Sequence, residues 1–562
     1  MNGSRSPASS SIDISSNEPV HELDVRGYHP RLHGTGFRPK RTLTEEEKWE
    51  KEANAVPLPP HLDIPYPSYE EKCALEGYRG SSLSDEELSK LPAYNDPMTD
   101  RVCDLLASGK NAYLFGKGGS GKSCSLRSAA VKLAKRGLRV ACVGMTGVSA
   151  LGFQEYGMRG STVHSWAGIG KGEGKTKDII GRVYGGMGAK ERIRLADVVL
   201  FEEISMGSGR FVGMLDDVFR TIRKKAAAYG GLKVGFSGDF LQLLSPERNE
   251  KGEKAPLAFT ATEWYQLEME PIHFTTGYRF KDDPRFEQLL ENVRVGKIEQ
   301  ADMDLLATRL FTDDEIKEIT DKECIVQLYP LHKQADEINE RKMGELPGDE
   351  KVYVAKDFWY DGKTGRHLGG DAMPQCFRTA LDQNIPAVIK LKKGAHVMLK
   401  RNQGDVGETH MANGTCGEIL DMTDEAVLFK LNDGSENWVE LQKWDHEVGC
   451  SKATRKQIPF ILAWALSIHA AQGLTLDKVI TRLDDKIFAE GQAYVAISRV
   501  RKLQDLVLRA LSPKAFKCNE ECRQFEETLI VIEQEKKKRR GEKGEGQEPD
   551  RKKVKTGQDC CS

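Results

Sequence analysis

The stretch Gly116-Lys-Gly-Gly-Ser-Gly-Lys-Ser123 constrains this chain more than any other. An apolar run at 112–115, short enough for one strand, precedes it, and residues 124–135 after it have the spacing of an amphipathic helix. In that strand–loop–helix setting, G-x-x-x-x-G-K-[ST] turns backbone N–H groups inward around phosphate oxygens. Gly116, Gly118, Gly119 and Gly121, with Ser120 among them, allow the close approach. The helix N-terminus adds its dipole, Lys122 reaches the β/γ-phosphates and Ser123 holds Mg²⁺. A nucleoside-triphosphate site is expected.

Such a site needs carboxylates at the end of a neighbouring strand, one beside the metal and one beside the attacking water. The apolar run 198–201 ends in Glu202-Glu203, with Glu202 read as the metal-side group and Glu203 as the water-side group. A further strand runs into Gly238-Asp239, and Gln242 three residues on is suited to sensing the γ-phosphate. Arg279 in Thr276-Gly-Tyr-Arg-Phe280 and Arg499 at the end of Gln492-Ala-Tyr-Val-Ala-Ile-Ser-Arg499 are candidates to reach the transferred phosphoryl group.

A chain of 562 residues suggests roughly three to four domains. Residues 1–85 are polar and proline-rich, read as disordered with short helices at 43–53 and 84–91. Residues 86–274 alternate strand candidates (111–115, 140–143, 198–201, 233–236) with helical stretches, which predicts a parallel sheet covered on both faces. A second such unit is expected over 275–392 and 445–512, with strands at 324–328, 461–466 and 479–481. Between them, 393–444 carries hairpin signals at Asn413-Gly414 and Asn432-Asp-Gly434 and reads as a small β-rich insert. Residues 513–562 read as a charged helix and a basic tail, with clusters at 536–540 and 551–555 that suit nuclear import. A serine-rich start keeps a mitochondrial address open as the alternative.

No apolar run approaches about 20 residues, so no membrane partner is expected. Twelve cysteines without a regular framework read as reduced thiols; Cys518 and Cys522, one helical turn apart, lack the partners a zinc site needs. With a net charge of −2, binding to a polyanion has to rely on a locally basic groove.

Taken in order, GKGGSGKS, FEEISM, GFSGDFLQL, TTGYRF with DDPRF, VMLKRN with NGTCGE, FILAWALSIHAAQGLTLD and GQAYVAISRV resemble the motif set of the PIF family of helicases. These form the RecD-like, 5′-to-3′ branch of helicase superfamily one. The resemblance runs from about residue 111 to 508. It implies an α/β fold of two RecA-like P-loop NTPase domains with a small β-rich insert and disordered terminal tails. It also implies an ATP-dependent motor that uses ATP and Mg²⁺ on single-stranded and forked DNA in replication, repair, recombination and at telomeres. Lys122 and Ser123 then bind ATP·Mg²⁺, Glu203 activates water, Gln242 senses phosphate, and Arg279 and Arg499 are arginine fingers. Thr146, Gly147, His164 and Trp166 would lie along the strand, and His469 and Gln472 would link it to the nucleotide. Ring stacking suits a motor that must grip any sequence. A monomer is compatible with the sequence.

Four positions depart from the family pattern. Glu202 stands where Asp is usual, which predicts slower turnover; no adenine-reading Gln occurs between Leu91 and Lys110; Ala470-Ala471 replace Lys-Ser; and Phe280 replaces Gln. Two rival readings are a weakly hydrolysing ATP- and nucleic-acid-binding scaffold and an RNA translocase.

Overall fold

Runs of four or five apolar residues read as strands buried on both faces, and in the computed structural model the four expected in the first unit join two that were not expected, Gly160–Thr162 and Glu270–His273, in a six-stranded parallel sheet. Its strands are β1 (Ala112–Phe115), β2 (Val140–Gly144), β3 (Gly160–Thr162), β4 (Val198–Glu202), β5 (Lys233–Ser237) and β6 (Glu270–His273). They lie in the order β3-β2-β4-β5-β1-β6, every pair parallel. One face packs on Leu126, Ala130 and Leu133 of helix α1 (Lys122–Lys135) and on Val102 and Leu106. The other packs on Phe211, Leu215 and Phe219 of the helix Gly209–Arg223. Because β1 lies beside β5, with β4 next, the loops leaving all three strands converge at one end of the sheet, where ligands of open α/β sheets bind.

The structure describes residues 75 and 77–540, apart from 171, 186–187, 246, 248–252, 363, 402, 404–410, 412 and 449–450. The predicted helix at 43–53, the cluster at 551–555 and Cys560-Cys561 lie outside them. The described residues pack within one unit. None of their helices is long and apolar enough to cross a membrane, and the described cysteines are free thiols.

A second parallel sheet has the order Ala465–Ser467, Val326–Tyr329, Val479–Leu483, Leu506–Leu511. The strand expected at 461–466 is two strands. Phe460–Leu462 pairs antiparallel with His396–Leu399, and after Ala463-Trp464 the chain enters the parallel sheet as Ala465–Ser467.

The β-rich part is larger than the predicted 393–444. A five-stranded antiparallel sheet holds Glu436–Glu440, Ala426–Leu431, Cys416–Met422, His396–Leu399 and Phe460–Leu462. A four-stranded sheet adds Arg366–Gly369, Lys356–Asp361, Ser451–Gln457 and Gln442–Val448, and Lys351–Val354 pairs with Val388–Leu391. Tyr353, Trp359, Phe377, Val397, Phe429 and Trp444 share one core. Much of what was assigned to the second α/β unit over 351–391 and 445–457 therefore belongs to the β-rich part. Strand Lys356–Asp361 turns lysine and aromatic side chains outward and buries Trp359, an alternation that reads as polar loop in sequence.

Both predicted tails join the fold in part. Tyr78 donates its hydroxyl to the Arg192 carbonyl at 2.6 Å, and the Ser82 N–H donates to the Gly157 carbonyl at 3.1 Å. The helix expected at 84–91 is Asp85–Ser89, closed by a Ser84/Glu87 capping box. The C-terminal helix Glu520–Arg540 takes in the basic cluster at 536–540 rather than ending before it. It returns to the first sheet, where Phe525 stacks on Phe259 at 4.0 Å and Cys522 is fully buried.

Candidate nucleotide cleft

The loop between β1 and α1 is shaped by glycines whose backbone few other residues adopt. Gly116 has φ 128°, and a Cβ on it would lie 2.4 Å from the Phe274 carbonyl oxygen; Gly121, at φ 90°, opens α1. The buried Lys122 ammonium donates to the carbonyls of Gly116 and Lys117, each at 2.8 Å. Burial lowers its pKa, opposed by the nearby Asp239 and Glu203 carboxylates. Ser120 Oγ is buried without a hydrogen-bond partner, a donor left over for a ligand oxygen. The loop borders a cleft of about 590 Å³ that Ser123 also lines.

Strand β4 delivers both carboxylates to that cleft. Glu202, 2 % exposed, receives Arg127 of α1 on both oxygens, Nε at 3.1 Å and Nη2 at 2.8 Å. Each oxygen keeps a second lone pair. One hydroxyl (Ser123) and one carboxylate (Glu202) suit a Mg²⁺ that arrives on phosphates, because such ions need only one or two protein oxygens. Glu203 turns the chain at φ 60°, ψ 41°, an αL conformation a non-glycine residue holds only when its surroundings impose it. Burial and the adjacent Glu202 raise its pKa to about 7, against the pull of Lys122. A carboxyl poised near neutrality is matched to accepting a proton from water. Gln242 lies in the same cleft, its amide nitrogen donating to Asp239 Oδ2 at 3.0 Å.

The opposing wall comes from the second unit. The Tyr494 hydroxyl accepts the Gly118 N–H at 2.9 Å, so the two units meet at the phosphate loop itself. Arg279 holds the loop by its backbone, N–H to the Gly119 carbonyl at 3.3 Å, and sends Nη1 to the Ser498 carbonyl at 3.1 Å. Arg499 lines the cleft but is 1 % exposed, donating to the Val495, Ala471 and Leu474 carbonyls and to Ser498 Oγ. Burial, reinforced by Arg279, lowers its pKa to about 9. As the structure stands it braces its own unit; to act as a finger it must exchange those carbonyls for phosphate. Both amide atoms of Gln472 are buried without partners beside half-buried His469. Ala470 faces the cleft, whereas Ala471 belongs to the core.

Two strand-gripping candidates, Thr146 and Gly147, also line the cleft, with the Thr146 hydroxyl capping the short helix Gly147–Gly152. Half-buried His164 tilts against Phe211 at 5.2 Å, and burial lowers its pKa. Trp166 corrects the expectation. Its ring is 6 % exposed and meets Phe219 edge-on at 5.8 Å in the core of the first unit, so packing takes most of the surface that a stacking role would need, and only a part of it borders the cavity beside Arg159 and Arg192. In the string Ser161-Thr-Val-His-Ser-Trp166, the first two residues end β3 and Val163–Trp166 form one helical turn capped by Thr162, which carries Trp166 into the core beneath the sheet. Three further residues shape the cleft and its walls. Tyr494 lies within the run Gln492–Arg499, Arg127 stands one helical turn beyond Ser123, and Arg294, which grips Asp239, carries no signal in the sequence.

Two parallel-sheet units closing on a glycine-rich phosphate loop, with paired carboxylates on one wall and arginines on the other, define a protein of the two-unit P-loop class. The family model of the PIF1-like helicases matches residues 96–304. The ATP-dependent DNA helicase PIF1 of Xenopus laevis is 31% identical over 470 residues, covering 79% of this chain and 67% of that protein. Its counterpart in Emericella nidulans is 28% identical over 489 residues, covering 76% of this chain; the chain spans 62% of that relative's length. Among solved structures, the Pif1 helicase of Candida albicans matches with a TM-score of 0.60 at 29% identity, over 77% of this chain and 99% of the other. This chain belongs to the PIF1-like helicase family.

Proposed function

We propose that the chain is an ATP-dependent 5′-to-3′ DNA helicase, a motor that moves on single-stranded DNA and parts duplex at forks. The observation that carries the reading is the Tyr494–Gly118 hydrogen bond, which ties the second unit to the phosphate loop across the cleft. Relatives named ATP-dependent DNA helicase support it. In this mechanism Lys122 leaves the Gly116 and Lys117 carbonyls for the β/γ-phosphates, Glu203 takes the proton of the attacking water, and Gln242 registers the γ-phosphate. Arg279 and Arg499 neutralise the transferred group, a contribution on the order of 10³–10⁵ in rate for such arginines. Mg²⁺, held by the Ser123 hydroxyl and Glu202, would screen phosphate charge. Gln472 and His469 couple the cleft to the strand. Opening duplex costs on the order of 1.4 kcal/mol per step, within reach of one nucleotide per base pair.

The test is DNA-stimulated ATP turnover together with unwinding of forks carrying a 5′ or a 3′ single-stranded arm. Turnover and 5′-arm unwinding that vanish in Lys122→Ala support the motor. Stimulation by RNA rather than DNA of one sequence would make it an RNA translocase. The bidentate Arg127–Glu202 pair favours one second reading, a weakly hydrolysing scaffold, and absence of turnover in the unmutated chain would establish it. The basic clusters support a nuclear role in genome maintenance; nuclear signal that survives deletion of 536–555 would remove that support.

A further inference from the structure

Behind the cleft lies a buried relay that reaches the C-terminal helix. Asp239, 1 % exposed, uses both carboxylate oxygens twice. Oδ1 accepts the Leu241 N–H at 3.0 Å and Arg294 Nη2 at 2.8 Å; Oδ2 accepts Arg294 Nε at 3.1 Å and Gln242 Nε2 at 3.0 Å. Arg294, 2 % exposed, spends its remaining donors on Glu526 Oε1 (2.7 Å), Glu526 Oε2 and Glu291 Oε1 (3.3 Å). All five N–H groups of its guanidinium are committed, which only a planar fork can do.

The relay dictates how the sensor points. Burial pushes the Asp239 pKa up, and the Arg294 charge and hydrogen bonds more than reverse it, so Asp239 is an acceptor only. Gln242 must therefore offer it an N–H, which places the amide nitrogen against Gly118 of the phosphate loop and leaves the second N–H for a phosphate oxygen. Arg294 in turn has the Asp239 carboxylate in front, Glu291 of its own helix beside it and one carboxylate behind. The rear one, Glu526, belongs to the helix that follows the last strand of the second unit and docks on the first through Phe525.

We propose that Arg294 and Glu526 are positioning residues of the ATPase centre: Glu526 on the C-terminal helix anchors Arg294, which holds Asp239 in the orientation that aims the Gln242 amide at the γ-phosphate. The proposal rests on the reading of the cleft as an ATPase site. A relay of this kind makes discrimination between tri- and diphosphate depend on a helix that touches no nucleotide.

The readout is the ratio of dissociation constants for ADP and a non-hydrolysable ATP analogue, measured by displacement of a fluorescent nucleotide from the full chain. Glu526→Gln keeps the shape of the side chain and removes its charge. It should lower the discrimination ratio about tenfold, the worth of one charge-assisted hydrogen bond. Gln242→Ala should lower it as much, and the double variant no further. Arg294→Lys, which keeps charge but loses the fork, should match Glu526→Gln. Phe525→Leu, which loosens the helix without touching the relay, should leave the ratio unchanged. An unchanged ratio in Glu526→Gln, an additive loss in the double variant, or an equal loss in Phe525→Leu overturns the proposal. If the unmutated chain binds neither nucleotide, the reading of the cleft fails and the proposal with it.

Discussion

Replacing Glu203 with Gln should make the protein more stable and stop its chemistry. The Glu203 pKa rises from an ordinary 4.5 to about 7 because its carboxyl is withdrawn from water beside Glu202. Between those two pH values the folded state binds the proton more tightly than the unfolded state, so this group's contribution to stability falls as pH rises through the window. Above it the folded chain carries the full cost of an ionised carboxylate, about 3 kcal/mol for a gap of about 2.5 units. Gln has the same length, no charge and the same αL demand at φ 60°, so the backbone term cancels. The gain is therefore about 3 kcal/mol at pH 8, and about 1 kcal/mol at pH 5.5, where the folded Glu203 is already protonated. At roughly 2–4 °C per kcal/mol for a unit of this size, thermal unfolding of Glu203→Gln should move up by several degrees at pH 8 and much less at pH 5.5. A variant no more stable than the parent at pH 8, or equally stabilised at both values, would refute the buried-charge account.

The same ionisation governs rate. With Glu203 as base, kcat/KM for ATP should fall about tenfold per pH unit as pH drops below about 7, and a pH–rate profile flat from 5.5 to 8 would exclude that role. Arg127→Met leaves Glu202 charged and buried without its partner, which should destabilise by about 3–5 kcal/mol; denaturant unfolding of the first unit reads it, and a loss under about 1 kcal/mol would mean that water replaces the guanidinium. Trp166→Ala should cost about 3–5 kcal/mol as a core truncation. A variant that keeps its thermal midpoint and loses only single-strand affinity would restore Trp166 as a stacking residue.

Legibility from sequence follows the range of the interactions. The phosphate loop is local: glycine spacing, the strand before it and the helix after it lie within 25 residues, so chemistry and geometry could be read together. Most parallel strands of the two α/β units are legible because burial on two faces leaves uninterrupted apolar runs, as in Ala112–Phe115 and Val198–Glu202, whereas Gly160–Thr162, Glu270–His273 and Leu506–Leu511 were not singled out. Strand Lys356–Asp361 was not legible, because one face meets water and its charged residues, Lys356, Asp357 and Asp361, mask the pattern. Trp166 shows the converse. Its neighbours in sequence matched a nucleic-acid motif, while the direction of its side chain was set by packing against Phe219, 53 positions away.

By itself, the sequence determined that this chain carries a glycine-rich phosphate-loop motif and which carboxylates follow it, since each feature is carried by a few consecutive residues. Only the tertiary structure decided how those groups are tuned. Glu202 is held by Arg127, Arg499 by carbonyls of its own unit, and Gln242 through Asp239 and Arg294 by Glu526, 232 residues further along than Arg294. Such pairings depend on which surfaces the cores bring together, and burial, which makes each unpaired charge costly, then leaves those partners in place.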